Sequence, residues 1–139
     1  MAVAQIPRSN IEIVFADWLD AMRRGDLDRM GARLAPDAVH QGIRPDLICR
    51  NREEVLDNAR RRVGRQPDVE ALELVAAGDH VVMSVRAANV GVPVDDASAE
   101  FRGQVCVVFT LREGLIVRIQ DYVHRADAFE AAGATIDWH

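Results

Sequence analysis

The chain contains no lysine: all 17 of its basic residues are arginine. Schiff-base chemistry on a lysine is therefore excluded. Cysteine is almost as scarce, with Cys49 and Cys106 alone. Two are too few for a disulfide framework, and a reduced, cytoplasmic protein is expected. No apolar run approaches the length of a membrane span, and no charged start leads through an apolar stretch to a cleavage site, so no membrane partner is expected. The four histidines and two cysteines are scattered without HxH, HExxH or CxxC spacing, which argues against a metal site. Glycine-rich phosphate loops and a GxSxG elbow are also missing, and no cofactor is implied. Net charge is −5, which gives no electrostatic case for a nucleic-acid partner. The one basic cluster, "ARRRVGR" at 59–65, falls at a helix terminus, where positive charge suits the dipole.

What is present is an ordinary globular composition, 49% hydrophobic and 28% charged over 139 residues. One domain spanning 1–139, with a real core, is the natural reading. "NIEIVFADWLDAMRRGDLDRM" places Ile11, Val14, Phe15, Leu19 and Met22 at helical spacing with Trp18 between them. Gly25 stops this helix, and "DLDRMGARLAP" reads as a second, shorter one ending before Pro36. "DAVHQGI" follows as a short strand. Asn51 with Glu54 three residues later predicts an N-cap and capping box, opening a helix to about Val63.

From residue 68 the period changes to two. Strands are predicted at 68–76, 80–90, 100–111 and 114–123, turning at "AAGDH" and "REG". "GVPVDDASAE" links two of them, and "RADAFEAAG" is a closing helical turn. Helices first and a largely antiparallel sheet afterwards means α+β. "QVCVVFTL" is apolar on both faces, so a partner subunit is expected to cover what the helices do not, making a homodimer.

Alternation also selects candidate site residues. In "LIVRIQDYVH", Asp121 falls on the apolar face with Val117, Ile119 and Val123. Arg86 shares a face with Val82, Ser84, Ala88 and Val90, and His40 with Ala38 and Gly42. The expectation is that Asp121, Arg86 and His40 point into one hollow between helices and sheet, with Trp18 in its wall. Ser84, Gln104, Cys106 and Thr110 would add polar wall contacts. A carboxylate in apolar surroundings needs a cation or donors to stay ionised. Arg86 is the expected cation, leaving Asp121 as base or, if protonated, as general acid, with His40 able to share either duty.

The order of these elements resembles the SnoaL-like branch of the nuclear-transport-factor-two-like superfamily. "FADWLDAMRRGDLDRMGARLAPDAV", the capped helix "NREEVLDNARRRV", the strand hairpin and "GLIVRIQDYVHRADAFEAAG" carry the resemblance over nearly the whole chain. It implies a cone-like α+β fold, with N-terminal helices on a strongly curved sheet enclosing a pocket, usually dimeric. It further implies a hydrophobic small-molecule ligand and acid/base chemistry of cyclase, isomerase or dehydratase type at Asp121. Non-catalytic binding or dimerisation modules belong to the same group. Gly42 and Cys106 stand where ketosteroid isomerases carry their two carboxylates, so that mechanism is not implied. Arg86 and Asp121 match half of the epoxide hydrolase set, with Ala88 replacing its other aspartate, which leaves a divergent hydrolase as a further alternative.

Overall fold

A computed structural model describes residues 9–63, 69–87 and 104–134, with side chains described for 9–61, 71–86 and 105–134. The first helix runs in three contiguous stretches: α1 (Asn10–Glu12), a π-helical turn (Ile13–Asp20) and α2 (Ala21–Arg24). Ser9 caps it by accepting from the Glu12 amide at 3.2 Å. Gly25 ends it in the left-handed region at φ 72°, the conformation that glycine reaches without a Cβ clash. Ile13, Val14, Asp17, Trp18, Leu19 and Ala21 are the buried residues of this helix. Phe15, expected in the apolar stripe, is 44% exposed.

Asp26 caps α3 (Leu27–Ala32). The chain then turns sooner than the sequence pattern predicts. Strand β1 (Leu34–Gln41) takes up Leu34 and Ala35, both buried, and runs through Pro36. Two forces outweigh helix propagation there: burial of those side chains and the strand contact made by the Ile116 amide to the Arg33 carbonyl at 2.7 Å. Pro36 cannot donate to the ladder, and the β1 register shifts between Leu34 and Val39. A two-residue strand, β2 (Ile48–Cys49), has no sequence signal and pairs with the end of β1.

The capping box opens α4 (Arg52–Val63). Asn51 accepts from the Glu54 amide at 2.9 Å, and Glu54 reaches back to the Arg50 amide at 3.1 Å. Strands β3 (Val69–Ala77), β4 (His80–Ala87), β5 (Gln104–Arg112) and β6 (Leu115–Tyr122) follow, then α5 (Arg125–Ala132). "RADAFEAAG" therefore makes two helical turns, closed by Gly133 at φ 70°. Residues 88–90 of the expected second strand, 100–103 of the third and the linker "GVPVDDASAE" lie outside the described residues.

The six strands among the described residues are ordered β2-β1-β6-β5-β4-β3, antiparallel except for the parallel β1/β6 pair. Register shifts in β1, in β3 between Ala71 and Glu73, and in the β5/β6 ladder after Thr110 bend the sheet. The molecule is thus α+β, with N-terminal helices on a curved, mostly antiparallel sheet. Its main core lies on the inner face, where Val81, Met83, Val85, Val107, Phe109 and Ile119 meet the helices. Trp18 packs edge-on to Phe109, ring centres 5.9 Å apart.

The outer face carries a second cluster, with Val82, Cys106 and Val108 under Ala128, Phe129 and Ala132 of α5. The two apolar faces of β5 are therefore both covered within one chain, and the partner subunit invoked for the second face is not needed to bury it. No helix among the described residues is long and apolar enough to cross a membrane.

Candidate functional site

Strands β1 and β6 bring two titratable side chains together at their carboxyl ends. The parallel register sets His40 beside Ile119. Asp121 lies two residues further along β6, on the same face. Histidine Nε2 stands 2.9 Å from Asp121 Oδ1. Both are largely withdrawn from solvent, with side chains 8% and 11% exposed. An ionised carboxylate only accepts, so it places the proton on Nε2 and leaves Nδ1 as the basic nitrogen. Such a pair can accept a proton at Nδ1 while the carboxylate stabilises the resulting imidazolium.

The inner-face surroundings explain why these two groups seek each other. Asp121 pairs in register with Val107, which pairs with Met83. Ala38, two residues before His40, is fully buried, and Val55 and Ala59 of α4 belong to the same core. A polar group buried among such neighbours costs about 1–3 kcal/mol unless it is bonded. Each of the two supplies the other's partner.

Arg86 does not join them. Along β4 it shares the face of Val82 and Ser84, and the register carries that face to Cys106 and Tyr122. Asp121 is one residue from Tyr122 and so points to the opposite side. Arg86 is exposed. The expected Arg86–Asp121 pair is replaced by His40–Asp121, because a one-residue offset in a strand reverses the face.

Ser84, Cys106 and Thr110 fall on that outer face as well. Ser84 Oγ donates to Glu73 Oε2 at 3.1 Å and lies 3.2 Å from Cys106 Sγ. Arg125 of α5 binds Glu73 through two parallel bonds, Nε to Oε2 at 2.9 Å and Nη2 to Oε1 at 2.8 Å. Its guanidinium also lies 4.2 Å from the Phe129 ring centre. These bonds hold the Glu73 carboxyl below the usual carboxylate range, against the opposing effect of burial. Burial pushes the Cys106 thiol up, so it stays neutral and is a poor nucleophile. Thr110 meets His80 Nδ1 at 3.0 Å.

Trp18 belongs to the packed core rather than to a hollow. Gly42 lies in the loop after β1, where a Cβ would come within 2.8 Å of Leu47 Cβ. Ile119 is fully buried beside the dyad. Ala88 and the Gln104 side chain lie outside the described residues.

Three further polar residues went unread in the sequence. Glu73 and Arg125 gave no signal, since the bulge at Leu72 decides which way Glu73 points. Asp17 had one: it sits four residues after Ile13 and four before Ala21, a carboxylate on an apolar helix face. It is 3% exposed and accepts from Arg29 Nε at 2.7 Å and Arg33 Nε at 2.6 Å. Among the described residues no group of three or more His, Cys, Asp or Glu could hold a metal ion.

A curved sheet carries N-terminal helices, with the His40–Asp121 contact on its helix-covered face. The chain belongs to the SnoaL-like domain family, whose model matches residues 15–119, and so to the SnoaL-like branch of the nuclear-transport-factor-two-like superfamily. A search of curated proteins by sequence finds no match. Among solved structures, it is similar to an LEH-like epoxide hydrolase of M. tuberculosis. That match has 24% identity and TM-score 0.62, covering 91% of this chain and 92% of that one. A candidate polyketide cyclase from Sinorhizobium meliloti matches at 21% identity and TM-score 0.60, covering 78% and 93%. A de novo designed protein with a curved β-sheet matches as well, at 19% identity and TM-score 0.64, covering 92% and 95%. A designed chain fits as closely as natural enzymes do, so this likeness establishes the fold and leaves the chemistry to the site.

Proposed function

We propose that the protein takes a hydrophobic small molecule into a pocket between helices and sheet and moves a proton on it with the His40–Asp121 pair. The observation that carries this reading is the 2.9 Å contact between two scarcely exposed titratable groups on an otherwise apolar face. In this scheme His40 Nδ1 removes a proton from carbon next to a carbonyl, and Asp121 holds the ring and balances its charge. The result is proton transfer of the cyclase, isomerase or dehydratase kind. The cytoplasmic setting draws support from the scarcity of cysteine, with Cys49 and Cys106 alone in the chain.

The test is exchange of carbon-bound hydrogen for deuterium in a panel of hydrophobic ketones and β-keto compounds, followed by NMR. Asp121→Asn and His40→Gln are each expected to lower the exchange rate roughly 100-fold or more while the ligand still binds. Undiminished exchange in Asp121→Asn would sink the acid/base assignment. A second reading, binding without turnover, is favoured by the closure of the two groups on each other. It predicts a ligand that binds wild type and both variants alike, with no exchange in any of them.

A further inference from the structure

On the outer side of the sheet the described residues form an open groove of about 510 Å3. The outer side chains of β6 make its floor, the loop after β1 one wall, and the start of α5 the other. We propose that this groove binds a small molecule carrying a carboxylate, held by the Arg118 guanidinium and the Tyr122 hydroxyl.

Arg118, Gln120 and Tyr122 alternate along β6 and share its outer face. Gln120 Oε1 accepts from Arg118 Nε at 3.3 Å and from Nη2 at 3.0 Å. One edge of the guanidinium is thus tied to the floor. The opposite edge, from Nη1 to the second Nη2 hydrogen, has no protein partner among the described residues. That edge is the fork that matches two carboxylate oxygens.

The phenol beside it is a donor. Partial burial pushes the Tyr122 hydroxyl up, with Arg118 drawing it down and Asp127 raising it again. It therefore keeps its proton at neutral pH and can give it to an anion's oxygen.

The wall facing α5 is built in advance. The Gln41 amide nitrogen donates to the carbonyls of Gly42, Arg44 and Leu47 at 3.0–3.2 Å. The Gly42 amide donates to the Leu47 carbonyl at 2.7 Å. A wall tied at four points loses little freedom when a ligand arrives. Asp127 on the α5 wall opposes an anion by charge and so provides a test of opposite sign. This face is the reverse of the one that carries His40 and Ile119, and the groove borders the dyad, since Asp121 is among its lining residues.

Tyr122 is the single tyrosine of the chain. Labelling the full chain with 3-fluorotyrosine therefore gives one fluorine resonance that reports this groove. Benzoate is expected to shift it saturably, at a concentration roughly 10-fold or more below that needed for benzamide, its neutral counterpart. Arg118→Gln should weaken benzoate by a similar factor at an unchanged melting temperature, and Asp127→Asn should tighten it. Equal responses to benzoate and benzamide, no saturable shift, or wild-type benzoate binding by Arg118→Gln would each overturn the proposal. So would a resonance that moves with protein concentration alone, which would place a second copy of the chain in the groove.

Discussion

Asp17 and Asp121 are both carboxylates set among apolar side chains, and their partners give them different tasks. Asp17 meets two arginines, which are charged at every accessible pH and hold no exchangeable proton of use. Arg33 extends the clip further, donating to the Gly114 carbonyl at 3.1 Å and so tying the first helix and α3 to the β5–β6 turn. Asp121 meets an imidazole, whose two ring nitrogens can each give or take a proton. One pair is therefore architecture and the other is suited to chemistry. Replacing Asp17 by Asn leaves the exposed Arg29 and the half-buried Arg33 short of their anion. It is expected to lower the urea midpoint of unfolding, with dyad-dependent exchange retained at temperatures where the variant is folded. Asp121 was legible as a breach of strand alternation. Its partner was not, because His40 lies 81 positions away and only the parallel β1/β6 pairing joins them.

At the scale of elements, α5 is held to the sheet by an apolar patch and one charged clasp. Ala128, Phe129 and Ala132 cover Cys106, while Arg125 grips Glu73 from the rim. Glu73 titrates below its unfolded value, so its stabilisation is present above that value and is lost as pH falls through the folded one. Loosening of α5 is therefore expected in acid, below about pH 4.5. Cys106 reports it, since its thiol is shielded only while α5 is docked. In a Cys49→Ser background, Glu73→Gln at pH 7 should raise the rate of Cys106 labelling by a thiol reagent roughly 10-fold. Identical labelling in both forms would show that the apolar patch alone holds the helix. The helical character of "RADAFEAAG" was readable from its residues. Its docking site was not, because the contact partner Glu73 is aimed by a bulge that no local propensity announces.

For the whole molecule, the sheet acts as a partition. The helix-covered face holds the main core and the His40–Asp121 pair, and the α5-covered face holds the Glu73–Arg125 clasp. The two networks share no bonded partner among the described residues. The destabilisations caused by Asp121→Asn and Glu73→Gln should therefore add to within about 0.5 kcal/mol in the double variant. A larger coupling in urea denaturation would mean that the faces communicate through the strands. Much of this plan follows from sequence alone: the order of helices and strands, their caps at Asn51 and Gly25, and the two-sided apolar character of β5. These depend on periodicity and on local backbone chemistry, which act within a few residues. Tertiary structure alone decided that β1 begins at Leu34, that α5 covers the second face of β5, and that Asp121 meets His40 instead of Arg86. The reason is geometric: a strand's side chains change face with every residue, so bulges and register between distant strands determine which polar groups can meet.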